Sequence, residues 1–207
     1  MEIQFYGGNC VRLSVKQASV VVDDNLADLG LKSVTKPDDI ALYTMLPKKE
    51  GAARLNITDP GEYEVSDISI RGIAVRGHMD EADQLTATIY KIDYDDIRLA
   101  IVGHVHPDIH EDQLEAIGGV DVLIVPVGGN GYTLDGVGAL KVIKEIEPKV
   151  VIPTHFAEKG INYEVPQQEL ADALKGLAME PAQTVAKYKI KPAEYTEAAQ
   201  LIVLERQ

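Results

Sequence analysis

The chain changes character half-way along. From Glu2 to about Val102 it is a succession of short β-branched runs bounded by Gly, Asp or Pro, and beyond that point apolar runs alternate with amphipathic ones. The first half predicts strands at Glu2–Tyr6, Val11–Lys16, Ser19–Asp23, Ile40–Thr44, Arg54–Thr58, Ile68–Val75, Ala87–Asp93 and Ile97–Val102, since Val, Ile, Thr and Tyr suit a pleated, half-buried surface. Tyr94-Asp95-Asp96 joins the last two as a hairpin. In the second half a short helix at Glu111–Ile117 ends at Gly118-Gly119, and the apolar strand Val122–Val125 follows. Thr133 is placed to N-cap a helix running to about Glu147, with Asp135 in its first turn. Leu134, Val137, Leu140, Ile143 and Ile146 then share one face, which predicts that this helix lies on a sheet. A strand at Val150–Pro153, a helix at about Gln167–Leu177 and strands at Val185–Ile190 and Leu201–Leu204 complete the chain. Strands first and strand–helix units afterwards imply sheet layers covered by helices.

No linker, repeat or low-complexity tract interrupts the 207 residues, so residues 1–207 read as one domain with a full-sized core. The net charge of −13, from 20 Lys plus Arg against 33 Asp plus Glu, repels phosphate backbones, and nucleic acid is not an expected partner. No stretch approaches the roughly 18 apolar residues of a membrane helix. The start MEIQFYGG enters directly as a strand, so a cytoplasmic location is expected. Cys10 is the only cysteine. That leaves no intrachain disulfide and no thiolate-rich zinc site, so any metal here would need nitrogen and oxygen ligands.

Three apolar runs stop within a residue or two of a histidine: IRGIAVRGH at His78, RLAIVGH at His104 and KVVIPTH at His155. Side chains just past buried strands stand at a sheet rim, where distant segments can share one cleft. Imidazole is the commonest metal ligand and the side chain most readily used as an acid or base near neutral pH. By contrast DIALYTMLPKKEG reaches a rim of the same kind with no histidine.

The segment DVLIVPVGGNGYTLDGVGALKVIKEIEPKVVIPTHF, from Asp121 to Phe156, resembles the metallo-β-lactamase superfamily, and in detail its branch of ascorbate-6-phosphate lactonase-like proteins. The stretch PGEYEVSDISIRGIAVRGH and the opening FYGGNCVRLSVKQASVVVDD are similar to the same branch. The resemblance implies an α/β fold, a four-layer αββα sandwich of two mixed sheets with helices outside, and a site at one edge. Most members bind one or two zinc or manganese ions there and hydrolyse esters, lactones, amides or phosphodiesters. Their motif Thr-His-x-His-x-Asp-His corresponds here to Thr44-Met45-Leu46-Pro47-Lys48-Lys49-Glu50, so Met45, Pro47, Lys49 and Glu50 occupy the four ligand positions and only Glu50 can bind a metal. His78 and His155 fall on two further family histidines, and His104 falls where the family carries a bridging aspartate.

Two readings of the site follow. In one, the dinuclear centre is lost and the protein acts by binding a small-molecule ligand or a protein partner, with no cofactor. In the other, His78, His104 and His155 hold one zinc or manganese ion as a neutral three-nitrogen set that activates a water. Further candidates around the cleft are Asp23 and Asp24 at a strand end, Glu50, Glu62 beside Tyr63, and the histidines of the His104–His110 run, His106 and His110. Gly128, Gly129 and Tyr132 mark a loop at the cleft rim whose glycine spacing fits neither a P-loop nor a dinucleotide fingerprint. Lys48 and Lys49 put positive charge where the motif ligands would stand, either as solvated loop lysines or as attractors of an anionic ligand. Assembly into a homo-oligomer is an expectation carried by the resemblance alone.

Overall fold

A computed structural model describes all residues, 1–207. In chain order the strands are β1 Glu2–Gly7, β2 Cys10–Ser14, β3 Ser19–Val22, β4 Ile40–Leu42, β5 Leu55–Ile57, β6 Gly61–Val65, β7 Ile68–Val75, β8 Ala87–Tyr94 and β9 Ile97–Ile101. There follow α1 Glu111–Ile117, β10 Val122–Pro126, α2 Gly136–Ile146, β11 Val150–Thr154, α3 Leu170–Leu177, β12 Pro181–Val185, β13 Tyr188–Lys189 and β14 Gln200–Leu204. They form two sheets. One has six strands in the order β13-β1-β2-β3-β4-β5, and the other has eight in the order β12-β14-β11-β10-β9-β8-β7-β6.

Both sheets are mixed. β1, β2 and β3 are antiparallel neighbours, whereas β3, β4 and β5 run parallel. In the larger sheet β6 to β9 form an antiparallel meander, and β9, β10, β11, β14 and β12 run parallel. The central parallel strands β10 and β11 are apolar at nearly every position because both faces are covered: all five residues of each are buried, whereas the edge strand β12 is largely exposed. Residues from both sheets, among them Ile3, Phe5, Val22, Ile89, Leu99, Ile124 and Ile152, fuse into a single core of 47 buried side chains, the inner layer of a sandwich.

All three helices serve the eight-stranded side, α1 against β7, α2 against β10 and α3 against α2. The outer face of the six-stranded sheet is covered differently. The segment between β3 and β4 forms turns instead of a helix, dropping Leu26 onto Cys10 and Val21 to make a small second core with Tyr6, Leu31 and Val34 beside it. A buried ion pair between Arg12 and Asp39, at 2.8 Å, ties this segment to the sheet. The fourth layer is therefore a loop layer.

Apart from shifts of one or two residues at strand ends, three boundaries differ from the sequence expectation. Asp135, not Thr133, caps α2, accepting from Gly138 N at 2.7 Å, so Thr133 and Leu134 lie in the preceding loop. The buried face of α2 is Ala139, Val142, Ile143 and Ile146, while Val137 is 64% exposed. The stretch Val185–Ile190 is not one strand, because the chain leaves the larger sheet after Val185 and joins the smaller one at Tyr188, turning a corner of the sandwich. The third helix begins at Leu170, which leaves Gln167 free to turn inward from a loop.

The corrected face of α2 is testable. Val142→Ala removes apolar contact from a fully buried site and should cost about 2 kcal/mol in urea unfolding, whereas Val137→Ala should stay within about 0.5 kcal/mol.

Candidate functional site

The carboxyl ends of β3, β4, β9 and β11 meet at one rim of the sandwich, and the side chains just beyond them line a cleft of about 260 Å³. The strands that deliver them are specified by Val and Ile runs, so the positions just past each run arrive at the rim together. Two non-glycine residues there hold left-handed backbone, Asp23 at φ 49° and His155 at φ 60°. Such residues persist only where their surroundings over-determine them. For His155 the restraint is its own N–H, which donates to Gly8 O at 2.7 Å.

Asp23 is the floor of the cleft and is 7% exposed. Its Oδ1 accepts from Thr44 N at 2.7 Å, and its Oδ2 accepts from Thr44 Oγ1 and Asn9 Nδ2, each at 2.6 Å. Asn9 Oδ1 in turn accepts from Thr154 Oγ1 at 2.6 Å, which links the smaller sheet to β11 of the larger. Burial raises the Asp23 pKa above the usual carboxylate range, although all three donors act to lower it.

His155 and His104 face each other with Nε2 atoms 3.1 Å apart and ring planes near perpendicular, at 88°. Gln167 decides the protonation pattern of this pair. Its Nε2 can only donate, and does so to Val165 O at 2.5 Å, so its Oε1 turns to accept from His155 Nδ1 at 3.0 Å. His155 therefore carries its hydrogen on Nδ1 and presents the Nε2 lone pair to His104. Gly128 makes room for this arrangement, since a Cβ there would lie 2.0 Å from Gln167 Oε1 and 2.3 Å from His155 O. Gly103 does the same for His104: a Cβ there would meet Thr44 Oγ1 at 1.9 Å. Both imidazoles are held neutral. Burial, then His155 and His78, push the His104 pKa down to about 3, and burial lowers that of His155 against the opposing bond to Gln167.

His78 does not complete a set. Its backbone N–H donates to His104 O at 2.7 Å, and its Nδ1 lies 3.2 Å from Val105 O. Its ring lines an adjoining smaller hollow with Met45, Met79, Asp80, His104 and Tyr132. His106 sits beside it, with ring centroids 6.4 Å apart, and turns its Nδ1 to Asp108 N. His110 is exposed at the start of α1, where its N–H donates to Gln113 Oε1. Nowhere do three His, Cys, Asp or Glu side chains stand in a group able to hold an ion.

The remaining predicted residues divide between the cleft and its surroundings. Tyr132 lines it, with its ring 5.0 Å from that of His104, whereas Gly128 and Gly129 are buried behind it. Asp24 points away, its Oδ2 accepting from Ser33 Oγ and from the backbone and side chain of Thr35 to hold the loop layer. Glu50 and Lys49 line a separate polar hollow with Asp24. Glu62 lies on the edge strand β6, 77% exposed and 3.2 Å from Arg71, outside the cleft. Lys48 does reach the cleft mouth and pairs with Glu164 at 3.1 Å. Asn9, Gln167, Tyr163, Asp28 and Glu164 are site residues that sequence reasoning passed over, because loop closure and not strand position brings them in, and Tyr43, just past β4, was passed over as a core strand residue.

Residues 2–155 match the family model of the β-lactamase superfamily domain. The chain belongs to this family. A stretch of 43 residues is 46% identical to a metal-dependent hydrolase of Carboxydothermus hydrogenoformans, covering 21% of this chain and only 19% of that relative's length. A structure from Thermotoga maritima, described as a candidate zinc-dependent hydrolase of the metallo-β-lactamase superfamily, aligns over 100% of this chain and 99% of its own with a TM-score of 0.76 and 22% identity. A candidate metal-dependent hydrolase of Parabacteroides distasonis aligns over 99% of this chain and 93% of its own, with a TM-score of 0.65 and 15% identity. At these identities the two structures share the sandwich with this chain, and the chemistry must be argued from its own residues. No helix is long and apolar enough to cross a membrane.

Two outcomes test this geometry. Asp23→Ala strands the donors of Asn9 and Thr44 in a buried site and should destabilise the protein by about 3 kcal/mol in urea unfolding. In chelator-treated protein, the lowered pKa of His104 gives a stability contribution that is complete above about pH 6.5, the unfolded value, and is lost as pH falls toward about 3. Unfolding midpoints should therefore fall with acidification, and His104→Gln should flatten that fall.

Proposed function

We propose that this protein is a metallo-β-lactamase-fold homologue whose dinuclear hydrolytic centre has been dismantled and whose cleft now binds a small-molecule ligand or a protein partner. The observation that carries this reading is the engagement of Asp23. Asp23, the one buried carboxylate lining the cleft, already accepts three hydrogen bonds from Asn9 and Thr44, and His104 and His155 stand as a two-donor pair outside any group of three metal-capable side chains. The Met45–Glu50 loop supports it: Met45, Leu46 and Lys48 line the cleft mouth, and Glu50, the one metal-capable side chain of that loop, faces elsewhere. The residues present thus do not fit a metal that would need three protein ligands and an open position.

One distance favours a second reading, a mononuclear metal hydrolase of an ester, lactone or phosphoester. Two imidazole nitrogens bound to one tetrahedral zinc at about 2.0–2.1 Å stand about 3.3 Å apart, close to the 3.1 Å between His104 and His155. His78 would then have to leave its hollow to join them.

Metal analysis of protein purified without a histidine tag separates the two. The expected result is well under one equivalent of zinc or manganese and a Tm indifferent to added zinc or chelator. Near-stoichiometric metal that disappears in His104→Ala overturns the binding reading and favours the mononuclear one.

A further inference from the structure

We infer that the cleft accepts a ligand with a cationic, ammonium-type head and a short apolar body; this rests on the binding reading above. Three carboxylates line the cleft, Asp23, Asp28 and Glu164, against the single ammonium of Lys48. Asn25 contributes a buried amide oxygen that has no hydrogen-bond partner. The surplus is therefore in negative charge, with Asp28 and Glu164 supplying the accessible acceptor oxygens because those of Asp23 are largely engaged by Asn9 and Thr44. An anion entering here would meet carboxylates in a chain of net charge −13, whereas a cation would be drawn in by the same field.

The protein's own lysine illustrates the chemistry. Lys48 Nζ rests 3.1 Å from Glu164 Oε1, and Glu164 and Asp28 both hold the ammonium in its charged form. The pair is exposed on both sides, 71% for Lys48 and 69% for Glu164, so it is weak and open to exchange. A ligand ammonium can take over Glu164 while Lys48 swings into solvent. Lys49, the other lysine of the loop, does not line this cleft and so cannot make it an anion site.

The walls suit the rest of such a molecule. Tyr43, Tyr132 and Tyr163 bring three phenol rings to the cleft, and aromatic faces attract ammonium groups. Tyr43 and Tyr163 are pinned by their hydroxyls, the first accepting from Gly51 N at 2.7 Å and the second donating to Phe156 O at 3.0 Å. Leu29, Met45 and Leu46 supply apolar contact, and Leu46 at the mouth is 78% exposed. About 260 Å³ accommodates a small amine and no large polymer.

The experiment titrates tag-free, chelator-treated protein at neutral pH with hexylamine, 1-hexanol and hexanoate, followed by calorimetry and by amide NMR shifts at the cleft. Hexylamine should bind about tenfold more tightly than either of the others. Glu164→Gln should weaken hexylamine binding several-fold, and Lys48→Met, which removes the internal competitor, should tighten it; both sites are exposed, so the variants will fold. Hexanol or hexanoate binding as tightly as the amine, or weaker amine binding by Lys48→Met, overturns the charge assignment and leaves the binding reading in place. No binding of any of the three overturns the inference, while the metal analysis above decides the binding reading separately.

Discussion

The site depends on one buried carboxylate. Asp23 sits where β3 ends in left-handed backbone, and its two oxygens collect Asn9 from the β1–β2 turn and Thr44 from the end of β4. Asn9 carries the chain of bonds on to Thr154 at the end of β11, and Thr44 O accepts from Thr88 N in β8. Two sheets that touch mainly through apolar side chains are thereby fixed at one rim by polar bonds. In a low-dielectric interior such a network is strong when every member is satisfied and costly when one is missing. Burial still outweighs the three donors in setting the Asp23 pKa, so the desolvation cost is only partly offset.

The same network decides what the cleft can do. With three of its roughly four lone-pair sites engaged by Thr44 and Asn9, Asp23 is a poorer metal ligand than a free carboxylate. His155 is constrained in the same way, with Nδ1 bound to Gln167 and only Nε2 free. What faces the cleft is then a neutral imidazole pair, phenol rings and a surplus of carboxylate and amide oxygens, with the one ammonium already paired. A centre built around a cation polarises anionic or carbonyl oxygens, whereas this assembly of acceptors attracts positive charge.

How much of this was legible in the sequence follows from how each part is held. β7 at Ile68–Val75 and α1 at Glu111–Ile117 stand where the residue pattern puts them, because β-branched alternation and a glycine stop are local signals. The start of α2 was misplaced by two caps of similar chemistry, and only the bond from Gly138 N selects Asp135. The corner between β12 and β13 was invisible because Val185 and Tyr188 are both good strand residues, and only the two sheets distinguish them. Likewise, strand-end position gave away His104 and His155, but not His78's separate hollow. Gln167 lay hidden in an expected helix, and Asn9 in a turn whose polar side chain reads as solvated.

Burial also explains why one half of the expected ligand set stands here and the other does not. Met45, Leu46, Lys48, Lys49 and Glu50 lie on an exposed loop beyond the end of β4, where substitution changes little of the core. His155 is 3% exposed and bonded to Gln167, and His104 is wedged between that ring and Tyr132 behind a glycine that Thr44 leaves no room to enlarge. Replacing either leaves a void or an unsatisfied amide in the sandwich edge, so the pair is held by packing whether or not it holds an ion. Histidines at such a rim are therefore evidence of a fold first, and the free valences around them, not their presence, determine the chemistry.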